Sequence, residues 1–250
     1  MAVRLGALFA LYWPLLLIVG SWQVWISLGH VARIVAPAPR DVVVELFAHA
    51  GVYFAAGGVT LLVALAGLII GTALGCVLAV ITWFSPFVTG MLTLPAVLIT
   101  STPLVALMPV IARLLGYNQR TVIAAAVVIT FFPTFVLVAS GLRALPPGTA
   151  DLFTVLGAGR LARLRLLVLP SAIPQLLVAL RLSCANCILA ALVAEYLMGT
   201  SGLGRLFATA ESTFDTASAW AACLVATALS VGAFLGSRRL ERAARTRFRA

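Results

Sequence analysis

Residues 143–174 read RALPPGTADLFTVLGAGRLARLRLLVLPSAIP, a charged stretch punctuated by proline and glycine between two long apolar runs. Pro146, Pro147 and Gly148 end the helix before them, and Thr149 is placed to cap a fresh one. Asp151 falls in the first turn, where a carboxylate favours the positive helix end. Gly157 interrupts this helix after about two turns. A second short helix is expected beyond it, with Arg160 and Arg163 on one side and Leu161, Leu164 and Val168 on another, closed by Pro170 and Pro174. A pair of this kind is too short and too charged to cross a bilayer. It either lies in the lipid interface or docks in a groove of a soluble partner.

The flanking sequence says which setting applies. Six charge-free or nearly charge-free runs lie at 8–28, 57–82, 87–112, 121–142, 175–198 and 217–236. Each is about the length a helix needs to span the hydrocarbon layer. Val52 to Ala112 carries no charge, so its length demands two helices, and Trp83-Phe84-Ser85-Pro86 is the one plausible break. Of 250 residues, 63% are hydrophobic and 10% charged, and the mean hydropathy is +1.14. Soluble domains carry roughly a quarter charged residues, so lipid must cover much of this surface. The first run is long and aromatic (Tyr12, Trp13, Trp22, Trp25) and no small-residue cleavage site closes it, so it reads as a retained span.

All 17 basic residues are arginine, against 7 acids, for a net charge of +10. They cluster in connectors without an aromatic-studded basic domain, which argues for positive-inside bias and against nucleic acid. Arg143, Arg160, Arg163 and Arg165 form one basic segment. Arg238, Arg239, Arg242, Arg245, Arg247 and Arg249 form another. Two spans separate them, so both are expected in the cytoplasm, as are both termini, with Arg4 at the first. Segments 29–51 and 199–216 then lie outside. The turn bearing Arg113 and Arg120 is outvoted and also falls outside. The expectation is an all-α, multi-pass protein: one transmembrane domain over 1–250, a cytoplasmic loop at 143–175 and a basic tail at 237–250.

Asp151-Leu152-Phe153, then Gly157, then Leu167-Val168-Leu169-Pro170 follow the spacing of the E-A-A, G, I-x-L-P coupling motif. On these residues the chain resembles the permeases of bacterial ABC importers, with Asp for Glu, Leu-Phe for Ala-Ala and Leu for Ile as departures. Pro37-Ala38-Pro39-Arg40-Asp41, Thr102-Pro103-Leu104 through Pro109, Leu115-Gly116, and Phe131-Phe132-Pro133 with Gly141-Leu142-Arg143 are similar to the branch importing nitrate, sulfonates, taurine and certain vitamin precursors. So is Val193-Ala194-Glu195-Tyr196 with Ser201-Gly202-Leu203-Gly204.

The resemblance implies a type I importer permease fold in the bacterial inner (plasma) membrane. A second permease copy, cytoplasmic ABC ATPase subunits and an extracytoplasmic solute-binding protein are the implied partners. ATP-Mg would be used by the partner ATPase, with no cofactor in this chain. The chain has no lysine and so no Walker-type loop. The ATPase-coupling residues would be Asp151, Gly157, Arg160, Arg163, Leu167, Leu169 and Pro170. The solute would be a sulfonate-, taurine- or nitrate-like anion or a vitamin precursor.

Pathway or gate candidates are Pro103, Met108, Pro133, Asn186, Glu195, Gly202 and Gly204. Helix-bending prolines suit a moving pathway or a plain kinked bundle. Asn186 lies near mid-span, where its amide bonds another helix or a solute. Glu195 is about 31 Å along a helix from Pro174, near the outer interface. It serves an outer gate or binding-protein contact, or pairs with Arg205 as a helix-end acid. Arg181 snorkels toward the cytoplasmic interface. Gly67, Gly71 and Gly75 form a packing stripe, and the four cysteines sit in spans without metal spacing or an implied disulfide. His30 and His49 carry no assignment.

Three rival classes read less well. An ion-gradient-driven carrier would need mid-span acids, which are missing. An energy-coupling-factor-type component would show paired Ala-Arg-Gly signatures, which only Gly157-Ala158-Gly159-Arg160 approaches. An intramembrane serine protease using Ser201 would need a histidine base in a later span, and none exists.

Overall fold

The computed structural model describes residues 2–29, 32, 35–145 and 147–248. His30, Pro146 and Arg249 lie outside the described residues, and the side chains of Arg4, Tyr12, Arg245 and Arg247 are likewise outside the description. Eleven α-helices make up the described chain: α1 Ala2–Leu28, α2 Pro39–Ala48, α3 Ala50–Phe84, α4 Pro86–Ser101, α5 Leu104–Leu115, α6 Gln119–Arg143, α7 Thr149–Val155, α8 Arg160–Arg163, α9 Leu169–Met198, α10 Gly202–Ser212 and α11 Thr216–Phe248. Among the described residues four helical stretches are long and apolar enough to cross a membrane: Ala50–Phe84, Gln119–Arg143, Arg160–Met198 and Thr216–Ala243. Leu16–Leu28 and Leu104–Leu115 are shorter apolar pieces.

The break expected near Ser85 is there, between α3 and α4. The run 87–112 is not one helix, however. It divides at Thr102-Pro103 because Pro103 has no N–H and pushes the residue before it out of helical geometry. The Thr102 hydroxyl then donates to the Leu98 carbonyl at 3.0 Å, satisfying an acceptor at the end of α4. At about 1.5 Å per residue α4 and α5 span roughly 24 and 18 Å, so neither crosses alone.

The glycine stripe of α3 is a packing seam, as expected. A Cβ on Gly67, Gly71 or Gly75 would overlap Ala126 Cβ, Thr130 Oγ1 and the Phe131 carbonyl of α6 respectively. Backbones this close let Thr130 Oγ1 donate across to the Gly67 carbonyl at 3.2 Å. Helix α9 lies on this pair, and Val63, Leu68, Val122, Ala126, Ile188 and Ala191 interlock at the centre. α11 packs on α9 and α10, and Trp22 of α1 meets Trp220 with ring centroids 4.7 Å apart.

Cross-links group the connectors at two ends. At one end Gln119 Nε2 donates to Ser201 Oγ (3.1 Å), and Ser218 Oγ donates to Glu45 Oε1 (3.1 Å). These bonds join the turn 116–119 to the start of α10 and α2 to the start of α11. At the other end Arg143 Nη2 donates to Thr89 Oγ1 (3.0 Å), and Arg181 pairs with Glu241 at 2.9 Å. The turn after Arg113 thus meets the start of α10, and the segment around Arg143 meets the start of α4. Arg181 departs from its expectation. It does not simply snorkel but meets a buried carboxylate on α11.

Candidate coupling elbow and pathway

Helix α6 ends at Arg143, and Gly148 sits at φ +77° before α7. Thr149 is the first helical residue rather than the cap, because the left-handed backbone of Gly148 already makes the turn. Asp151 lies in the first turn as expected, and Gly157, at φ +67°, bends the chain after α7. A Cβ there would meet open space, so glycine is required by backbone conformation alone.

Beyond the bend, the expected closure at Pro170 and Pro174 does not occur. Helix α8 passes through a π-helical turn, Leu164–Val168, directly into α9. The wider turn, in which Leu169 N–H bonds back to the Leu164 carbonyl, brings Pro170 into the start of α9 where its missing N–H is tolerated. Pro174 is carried inside α9. Arg160 to Met198 is thus one continuous rod.

Leu164 and Val168 anchor the elbow against Ala79, Phe135 and Leu142, while Leu161 faces outward. Val155 is 85% exposed and Leu156 69%, beside exposed Leu152, Asp151, Arg160, Leu169 and Pro170. Arg163 and Leu167 are half-buried. This makes an apolar tip ringed by charge, held at the arginine-rich end of the molecule.

A cavity of about 360 Å³ opens between the α4–α5 break, α6 and α9. Pro133 and Asn186 line it, and Thr102, next to exposed Pro103, forms its rim. Asn186 is exposed on the single chain and makes no hydrogen bond to any described residue. An amide left bare at mid-span is not a lipid-facing group. Met108 belongs elsewhere: it is 1% exposed, packed in the core with Val63 and Ile188, and does not reach the cavity.

Glu195, Gly202 and Gly204 do come together. Glu195 is 1% exposed. Its Oε2 accepts from Thr60 Oγ1 (2.8 Å) and from the Gly204 N–H (3.0 Å), and Thr60 Oγ1 in turn accepts from Leu203 N–H (2.9 Å). The carboxylate therefore docks the N-terminus of α10, where helix dipole and orphan donors favour it. Any side chain on Gly202, at φ +84°, would overlap that carboxylate. Arg205 is not the partner; its Nη1 donates to the Thr200 carbonyl at 3.0 Å. Nor is Glu195 a surface contact. Thr60 was absent from the sequence candidates because nothing local marks a threonine 135 positions away as an acid's donor.

All four cysteines are free, and no group of three or more potential metal ligands occurs among the described residues. The family described as "Binding-protein-dependent transport system inner membrane component" matches residues 71–246. A probable ABC transporter permease protein of Haemophilus influenzae is 30% identical over 86% of this chain and 90% of its own. The formylaminopyrimidine transport permease protein of Halalkalibacterium halodurans is 26% identical, covering 82% of each chain. A putative aliphatic sulfonates transport permease protein of Bacillus subtilis is 25% identical, covering 83% of this chain and 76% of that one. Among solved structures an amino acid ABC transporter superposes with a TM-score of 0.67 at 17% identity, covering 82% of this chain and 97% of that one.

Proposed function

Since the chain belongs to the inner membrane components of binding-protein-dependent transport systems, and so is the permease subunit of an ABC importer, we propose how its parts divide that work. Two copies pair across a twofold axis, the commonest closed assembly, with the cavities beside Asn186 facing the shared pathway. A separate cytoplasmic ATPase binds and hydrolyses ATP-Mg and grips the elbow. An extracytoplasmic binding protein delivers the solute at the end bearing α2 and α10, and both termini are cytoplasmic. The solute is a small molecule of the kinds named for the relatives, an aliphatic sulfonate or a formylaminopyrimidine-like vitamin precursor.

The observation that carries this reading is the elbow: an exposed Leu152/Val155/Leu156 tip, bent at Gly157, with no internal neighbour to cover it. Aliphatic side chains presented this way at the end of a bundle call for a groove on a partner. Each nucleotide state of that partner can then favour one pathway conformation through its contacts with the tip. A side chain at 157 enters open space, so Gly157→Trp meets no clash inside the chain and disturbs docking through its bulk at the tip and through strain on the left-handed backbone of the bend. Gly157→Asn, which tolerates the left-handed region, is the control. Co-purification with the cognate ATPase should fall at least tenfold in Gly157→Trp and stay near wild type in Gly157→Asn, with equal membrane insertion. Undiminished ATPase capture and uptake by the Trp variant would remove the elbow from coupling.

A further inference from the structure

One exposed face of α11 changes character along its length. Trp220, Leu224, Val231, Leu235, Arg238 and Arg242 recur at the spacing of helical turns, so they share that face, and all six are exposed. It opens with an aromatic ring, is aliphatic through the middle and closes in arginine. At about 1.5 Å per residue Trp220 and Arg238 stand about 27 Å apart, which matches a hydrocarbon layer of about 30 Å. Arg238 therefore falls at the level of the lipid headgroups, with Arg242 one turn beyond. Positive-inside bias explains arginine in this segment but not its continuing the line of the aliphatic face.

These charges have no use within the chain. Glu241, the acid among them, is buried and turned to Arg181 of α9 at 2.9 Å, which also fixes the rotation of the helix. Arg238, Arg239 and Arg242 make no ion pair or side-chain hydrogen bond with any described residue. The helix runs on to Phe248, so Arg238 and Arg242 precede its last turn and do not serve its dipole. We propose that this end of α11 binds an anionic phospholipid, its phosphate held by Arg238 and Arg242 and an acyl chain lying along Leu235 and Val231. A guanidinium presents paired donors that match phosphate oxygens. Leu235 and Val231 lie about 4.5 and 10.5 Å deeper than Arg238, within the roughly 15 Å depth of one leaflet. An acidic protein surface would engage the arginines but has no need of the aliphatic face that leads into them. Lipid binding here requires only that α11 cross the membrane, so it stands apart from the coupling and solute roles proposed above.

The test reconstitutes the full-length permease with its cognate ATPase in equal parts of dioleoylphosphatidylglycerol and dioleoylphosphatidylethanolamine. The complex is re-extracted in mild detergent, and mass spectrometry measures the lipid that stays bound and the subunits present. Phosphatidylglycerol should be enriched over phosphatidylethanolamine. Arg238→Gln or Arg242→Gln should each cut that enrichment about fivefold, since one arginine near an anionic surface contributes about that much in affinity. Arg165→Gln removes an equally exposed arginine away from α11 and should leave the enrichment near wild type. Equal retention of the two lipids, the same loss from Arg165→Gln, or enrichment indifferent to the α11 variants overturns the proposal. So does loss of the ATPase or of a second permease copy from Arg238→Gln, which would assign the arginines to a protein partner.

Discussion

Replacing Glu195 with alanine would leave the Gly204 N–H buried without its acceptor, at a cost of about 1–3 kcal/mol, and would leave the Thr60 hydroxyl only the Ala56 carbonyl 3.2 Å away. Glu195→Ala should therefore lower the melting temperature of the purified protein by several degrees, at roughly 2–4 °C per kcal/mol for a chain of this size. Glu195→Gln keeps a carbonyl for Gly204 and should recover most of the loss in the same thermal-shift assay. An Ala variant as stable as wild type would mean the carboxylate does not hold α10. At this scale the sequence was half legible. Glu195 stands out because an acid in an apolar run must meet something. Its partner does not, since Arg205 is near in sequence but follows Gly204 by one residue, about 100° around α10, and so points away. Asn186 and Pro133 were visible as individual oddities. Their meeting in one cavity with Thr102 depends on how three separate elements pack.

Among the elements, the link between α9 and α11 makes a checkable claim. Arg181 is partly exposed while Glu241 is buried, so losing the arginine takes a 2.9 Å ion pair away from a carboxylate packed against the bundle. With solvent screening of the exposed partner, Arg181→Ala should destabilise by about 1–2 kcal/mol. Arg181→Ala/Glu241→Ala should be less harmed than the two single losses predict, and denaturation of all four proteins measures that coupling. Helix α11 runs about 50 Å, well past a hydrocarbon layer of about 30 Å, and this pair pins its protruding end to α9. The positions of most long helices were readable from charge-free runs. The fate of individual prolines was not: Pro95, Pro109, Pro133 and Pro174 lie inside helices while Pro103 breaks one. Every one of them lacks the same N–H, so nothing local to a proline separates a bend from a break, and the outcome is settled by packing. The π turn was equally hidden, since nothing in Leu164–Val168 distinguishes it from ordinary helix.

For the molecule as a whole, sidedness is the property to test. A cysteine at Gln119 should react with an impermeant thiol reagent in intact cells, and one at Arg239 only after permeabilisation. The native cysteines sit in apolar helices, so they form a low background. The reverse pattern would invert the whole assignment. Arginine distribution was enough to sort the connectors into two sets, and in the structure the turn after Arg113 meets the start of α10 while the segment around Arg143 meets the start of α4. Pairing of two chains left no comparable trace, because an interface among apolar helices resembles a lipid-facing surface in composition. The unbroken course from Arg160 to Met198 has a mechanical consequence. At about 58 Å it behaves as an oar whose blade is the elbow and whose handle is the Glu195 anchorage, so a tilt of about 10° about its middle sweeps each tip roughly 5 Å in opposite directions. Movement imposed on one face of the membrane is thereby delivered to the other without a relay of separate parts. The compliant turn at Leu164–Val168 and the kink-prone Pro174 set how much of that stroke is lost on the way.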